Sequence, residues 1–423
     1  MLTKLQNRLF ETLVETPLID IHTHLSPSEL SSNNLARLFF YHYIVDELKA
    51  AGASSEAISS DQPAKERLAA AMPFIPYIQN TSTYWMFTII ARDLFEFDEP
   101  LTLKNWQNLA AQVDIKCSEP DWPSRVLSKS NIEFAFLTFN WNHTWKPFDQ
   151  SLLRATVRLD TLLDGPVNSS MIKTLESLSN IQISTAKNLN TAIFKLVEHW
   201  QSNGVVALAT SYEIDYRLED LSTREVNAAL EVILTGQAGA VDAGLRLNGY
   251  FLHRALEACA DFKLPLQLFI GIGATTSGKR VPIHRQNLVR DFYPIFLQYP
   301  QVKFDLLLAN LAQSQEVWVA GKMNPNVYVS GAWWYNFQPS TLRKLWRERL
   351  EGLPANKACA FFSDAYTIEW NYAKAYHMRS QLAQVLAEFV ANGFYNERHA
   401  EQIGRWLLYN NPKQLYFSHQ TVL

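Results

Sequence analysis

Eight short apolar runs rich in β-forming residues, most of them separated by stretches of helical periodicity, limit what this chain can fold into. They are LIDIH (18–22), FAFLTF (134–139), ATVRL (155–159) and VVALAT (205–210) in the first half, then LQLFI (266–270), VKFDLLL (302–308), VYVSG (327–331) and ACAFFS (358–363). Between such runs lie segments such as NLNTAIFKLVEHWQSNG (188–204), which ends on a Gly stop. In NYAKAYHMRSQLAQVLAEFVANG (371–393), Tyr372, Tyr376, Leu382, Val385, Leu386 and Phe389 fall near one helical stripe. Strands alternating with helices imply parallel βα units, and eight such units can close into a (β/α)8 TIM barrel. A doubly wound sheet is the rival fold. Its Gly-rich turn after the first strand is missing, because LIDIH runs into THLSPSEL. The expected architecture is therefore α/β, a single TIM-barrel domain over residues 1–423. A mostly helical insertion at 27–130 is expected between the first and second strands, carrying LARLFFYHYIVDELKAAG and YWMFTIIARDLF. The opening helix, with Leu2, Leu5, Leu9 and Leu13, is expected to pack against the barrel.

Composition narrows the function classes. The 423 residues are 48% hydrophobic and 19% charged, enough to bury a large core. A formal net charge of −3 without a basic stripe argues against nucleic acid as a partner. No apolar stretch approaches the ~20 residues that span a bilayer, so no membrane partner is expected. Cys117, Cys259 and Cys359 show no CxxC spacing, which indicates neither a disulfide framework nor a zinc ribbon. Met1 leads into LTKLQNRLFETLVE without the layout of a secretion signal, and the expectation is a cytoplasmic protein. Oligomeric state has no legible signature, and a homo-oligomer is allowed.

Two motifs carry candidate chemistry. In Asp20-Ile-His22-Thr-His24, the period-two alternation of a strand puts both imidazoles on one side, at the carboxyl end where barrel enzymes keep their sites. With 10 His in the chain, an H-x-H arises by chance about one time in four, so the position supplies the specificity. In Phe361-Phe362-Ser363-Asp364, the Asp closes the eighth run, and in a closed barrel that strand lies beside the first. A carboxylate after two Phe is costly to bury without a cationic partner. A metal bound by His22, His24 and Asp364 resolves that cost, and so does a helix N-terminus that Asp364 merely caps. Nitrogen and oxygen donors suit a single divalent ion: zinc is expected, with manganese or iron as alternatives.

These motifs resemble the uronate isomerases, a divergent branch of the amidohydrolase superfamily, over nearly the whole chain. The resemblance rests on IDIHTHLSP, His42-Tyr43, VRLD around Arg158, SGAWWYN with Trp333 and Trp334, FSDAY with Asp364, and the terminal YNNPKQLYF. It implies a metal-dependent-hydrolase type of barrel with His22, His24 and Asp364 as metal ligands. It also implies catalytic roles for Asp364, Tyr43 and His42, with Arg158 meeting a substrate carboxylate in a bidentate pair. Trp333, Trp334 and Tyr366 would complete substrate binding, although packing is the competing explanation for at least one Trp. An interior ion pair competes for Arg158. The substrate implied is a small sugar acid such as glucuronate, isomerised between aldose and ketose.

The chain also departs from that family. Phe269 stands where the family carries a fifth-strand His, and Ala274 where a basic residue follows it. Ala209-Thr210-Ser211 replaces an Asp-His-Gly stretch, and Tyr366 replaces an Arg. Two alternatives stay open on that account: metal-assisted hydrolysis of an ester, amide or lactone, and a barrel that binds a sugar acid with reduced catalysis. Of the other histidines, His143 follows the second run and could line a pocket. Lys279-Arg280 lies after the fifth, where a solvated loop is expected.

Overall fold

A computed structural model describes residues 2–212, 217–274, 280–283 and 288–418. Each of the eight apolar runs carries a strand: β1 (Leu18–Asp20), β2 (Ile132–Asn140), β3 (Leu153–Arg158), β4 (Val205–Tyr212) and β5 (Leu266–Ile270), then, after a hairpin of β6 (Ile272–Ala274) and β7 (Arg280–Pro282), β8 (Phe304–Leu308), β9 (Val327–Ser330) and β10 (Ala358–Cys359). Eight of these form one sheet in chain order, with β6 and β7 set apart as an antiparallel pair. The registers from β2 through β10 are parallel; Leu268, for example, sits between Thr210 and Leu306. β5 and β8 are buried at every position, as strands covered on both faces must be, which explains why each is apolar but for one residue, Gln267 and Asp305. The β6–β7 hairpin carries no comparable apolar run and was not anticipated. Arg280 is exposed there, while Lys279, His284 and His419 lie outside the described residues.

The chain divides into two compact units. The first comprises residues 1–133, 337–343 and 363–404. Its opening helix, Leu2–Glu15, packs on the long helix Ile368–Ala391, with Phe10 edge-on to Tyr376 at 5.1 Å. Its middle is helical, including Leu35–Phe39, His42–Ala50, Ser82–Phe95 and Trp106–Cys117. The segment LARLFFYHYIVDELKAAG forms two helices, broken at Phe40-Tyr41. The break has a tertiary cause: Tyr41 turns inward, and its hydroxyl donates to the Asp364 carbonyl at 3.1 Å. Glu369 is wholly buried in this unit, accepting from Trp122 Nε1 at 2.8 Å and from the Ser32 N–H at 3.1 Å.

The second unit comprises residues 134–336, 344–362 and 405–423. Thr185 caps its helix Ala186–Ser202 by accepting from the Asn188 N–H, as the periodicity of that segment requires. In its core the Tyr416 hydroxyl donates to Asp305, and Gln267 Nε2 donates to that hydroxyl at 2.9 Å. Gly331, just past β9, has φ +58°, and a Cβ built there would lie 2.2 Å from Phe362. Gly331→Ala therefore combines left-handed strain with a ring clash. We expect a loss of about 2 kcal/mol or more, read as a lower midpoint in denaturant titration; an unchanged midpoint would show that Phe362 moves aside freely.

Candidate metal centre and adjoining cleft

The chain after β1 and the chain after β10 meet through two backbone hydrogen bonds. Asp364 N–H donates to the His22 carbonyl at 3.0 Å, and His24 N–H donates to the Ala365 carbonyl at 2.8 Å. Only three residues of the 18–22 run and two of the 358–363 run are regular strand, and Asp364, beyond the second, takes φ +56°. For an Asp this left-handed conformation costs on the order of 1 kcal/mol or more and persists only where its surroundings hold it.

That backbone turn aims the carboxylate at both imidazoles. Asp364 Oδ1 lies 3.5 Å from His22 Nε2 and 3.1 Å from His24 Nε2. Three ligand atoms, one from each residue, fall within 4.8 Å of one another, the one such His/Cys/Asp/Glu group among the described residues. A tetrahedral ion with bonds of ~2.1 Å separates its ligands by roughly 3.4 Å, so the donor set and spacing fit one divalent ion. His22 is 1% exposed and His24 open to the adjoining cleft, giving the centre a buried side and an accessible one. Burial alone would push the Asp364 carboxyl up; hydrogen bonding to His22 and His24 outweighs it and holds the group well below the usual carboxylate range.

A second layer of buried polar groups supports the centre. Asp20 Oδ1 accepts from the Ser363 N–H at 2.8 Å, and its Oδ2 accepts from Asn371 Nδ2 at 2.6 Å. Burial pushes the Asp20 carboxyl up to about 7, and its hydrogen bonds pull the other way. Lys374 donates to the Ser363 carbonyl at 2.5 Å and to the Tyr41 hydroxyl at 2.8 Å. Its ammonium is pushed down to about 8 by burial, against the pull of Asp364 and Asp20. Asn371, Lys374 and Tyr41 were all missed by sequence reasoning. The one available signal was polar residues on the buried face of an otherwise apolar helix.

Next to His24 opens a cleft of about 400 Å³ with a largely aromatic wall that includes Tyr41, His42, Tyr366 and Trp370, and with Arg37 at its edge. Tyr366 stacks on His24 with ring centroids 4.9 Å apart. His42 faces both Tyr43, at 4.0 Å between rings, and Tyr366, at 5.4 Å. Its Nδ1 is buried without a hydrogen-bond partner, and burial pushes the imidazole down to about 4, so it is neutral at pH 7. Tyr43 is 7% exposed. The structure thus brings together His22, His24, His42, Tyr43, Asp364 and Tyr366 within the first unit.

Arg158, Trp333 and Trp334 belong to the second unit. Arg158 ends β3 and makes a bidentate pair with Asp160, Nε to Oδ2 at 2.6 Å and Nη2 to Oδ1 at 2.7 Å, while also donating to Ser211 Oγ at 2.5 Å. Its guanidinium lies over the Phe269 ring at 4.4 Å. Trp333 is buried edge-on against Phe269 at 5.0 Å, and Trp334 is half-buried with φ +59°. His143 stacks on Phe139 at 4.4 Å.

Residues 1–280 match the family model described as glucuronate isomerase. The chain is 19% identical to a uronate isomerase of Thermotoga neapolitana, covering 97% of this chain and 96% of that one, and 23% identical to one of Caldanaerobacter subterraneus over 88% of each. Among solved structures it is similar to the uronate isomerase of Thermotoga maritima, with TM-score 0.89, 17% identity and coverage of 98% and 97%. A glucuronate isomerase from Caulobacter crescentus gives TM-score 0.88 at 16% identity, covering 99% and 95%. These likenesses establish the (β/α)8 TIM-barrel type of fold.

Asp160 supplies a pH prediction. Burial raises its carboxyl, but Arg158 and the Ser211 hydrogen bonds prevail and hold it below the ordinary carboxylate value. A depressed folded-state pKa contributes stability above the unfolded value of ~3.9 and loses it as pH falls through the folded one. Wild type should therefore exceed Asp160→Asn in unfolding free energy at pH 7, with the margin closing below about pH 4. A margin independent of pH would contradict the ion pair.

Proposed function

Because the chain belongs to the glucuronate isomerase family, we propose that it interconverts the aldose and ketose forms of a sugar acid such as glucuronate at the His22–His24–Asp364 centre. The observation that carries this reading is the convergence of two imidazoles and one carboxylate beside an aromatic cleft. Bound there, a divalent ion, which we take to be zinc ahead of manganese or iron, would supply positive charge to the sugar's carbonyl and neighbouring hydroxyl oxygens.

The chain's own groups then account for the proton. It leaves C2 and arrives at C1 through an enediol, with Tyr43 and Asp364 as its proposed carriers. Asp364 is anionic at neutral pH and can accept. Neutral His42, with its Nδ1 turned to the interior, can orient a substrate hydroxyl without competing for the proton. Tyr366 and the half-buried Trp334 are the proposed flat faces for a sugar ring, and Trp333, buried against Phe269, is read as packing. Arg158 is the proposed carboxylate anchor, and binding there requires it to share the guanidinium now held by Asp160.

We further propose that residues 1–423 act as one barrel domain with 27–130 as its insertion, in the cytoplasm and open to homo-oligomer formation. No helix among the described residues is long and apolar enough to cross a membrane.

Incubating the metal-loaded protein with glucuronate in deuterated water tests the reaction. A ketose product with deuterium from solvent is expected, abolished by chelation and reduced more than about 100-fold in His22→Ala. Neither product nor label exchange from the loaded protein would refute the reading.

A further inference from the structure

We propose that Lys374 and Tyr41 form a positioning pair that holds the Asp364 peptide in its left-handed turn and so sets the affinity of the centre for its ion. The inference rests on the metal-centre reading above and concerns residues that do not themselves ligate.

A left-handed Asp needs restraint on both sides, and every backbone group flanking Asp364 is held. Its own N–H donates to the His22 carbonyl at 3.0 Å. Its carbonyl accepts from the Tyr41 hydroxyl at 3.1 Å. The preceding carbonyl, of Ser363, accepts from Lys374 at 2.5 Å, and the following N–H, of Ala365, donates to Ser363 Oγ at 3.1 Å. Lys374 also donates to the Tyr41 hydroxyl at 2.8 Å, leaving that hydroxyl's proton directed at Asp364. One ammonium thus pins one carbonyl directly and the other through the phenol.

The fold invests in this pair. The helix break at Phe40-Tyr41 brings the tyrosine inward, and Tyr41 is fixed by stacking on Trp370, with centroids 4.3 Å apart. Lys374 is 2% exposed, surrounded by the rings of Tyr41, Tyr43 and Phe337. A lysine so buried is retained only where its hydrogen bonds and charge have a task. Here its charge also faces Asp364 and Asp20.

Tyr41→Phe removes one oxygen and keeps the ring stack, and Lys374→Met keeps the stem and removes the charge. Zinc affinity is measured by competition with a chromophoric chelator, alongside far-UV circular dichroism and a thermal midpoint. We expect zinc to bind about 10-fold more weakly to Tyr41→Phe and up to about 100-fold more weakly to Lys374→Met, as loss of a supporting hydrogen bond does at metal sites. Tyr41→Phe should keep the wild-type spectrum and fold, with a lowered midpoint because the Asp364 carbonyl and one Lys374 N–H lose their buried partner. Wild-type affinity in a folded Tyr41→Phe would overturn the inference while leaving the metal centre standing. If wild type itself takes up no zinc, manganese or iron, the metal-centre reading fails and this inference with it. If Lys374→Met does not fold, Tyr41→Phe alone decides.

Discussion

Two backbone hydrogen bonds, between residues 22–24 and 363–365, are the constraint from which the centre follows. They join residues 342 and 341 positions apart in sequence and bring the Asp of FFSD to the imidazoles of HTH. Without them, Asp364 would be a carboxylate buried after two phenylalanines with no partner, at a cost of several kcal/mol. With them, its burial becomes the means by which one oxygen is presented to two nitrogens. The left-handed turn at Asp364 is the local strain this requires.

Around that turn the charges are arranged so that no single one is buried alone. Asp20 and Asp364 are opposed by Lys374, and the remaining donors come from Asn371, Ser363 and Tyr41. Such a network is stabilising only while every member is satisfied; removing one partner strands the others in a medium of low polarity. The same economy holds in the second unit, where Arg158 and Asp160 neutralise each other and Ser211 donates its N–H to the carboxylate at 2.7 Å. An Arg already paired this way is preorganised in orientation, but a substrate carboxylate must compete with Asp160 for it.

Much of the fold was legible because it is periodic. Runs such as LQLFI and VKFDLLL are mostly apolar, since their strands are buried on both faces. The segment at 188–204 shows its helix through its periodicity and a Gly stop. The convergence of His22, His24 and Asp364 was legible for a topological reason: first and last strands of a barrel are neighbours, which brings HTH and FFSD together. What stayed hidden depends on tertiary approach without a local pattern. Tyr41 interrupts a segment expected only to be mostly helical, and its partner lies 323 residues away. Lys374 and Asn371 sit in a helix read from its apolar stripe, where polar residues pass for the solvent face. The β6–β7 hairpin, too, lacks the apolar alternation that marks a strand. Arg158 posed a different difficulty: sequence offered both an anchor and an interior ion pair, and the structure places it in the pair with Asp160.

The central claim is that His22, His24 and Asp364 share one ion. X-ray absorption spectroscopy of the zinc-loaded protein tests it most directly, because imidazole rings give a distinctive outer-shell scattering pattern. The account predicts about two imidazole nitrogens and at least one oxygen at ~2.0–2.2 Å, with the imidazole pattern reduced in His24→Ala. A bound zinc whose spectrum shows no imidazole, or is unchanged by that substitution, would contradict it.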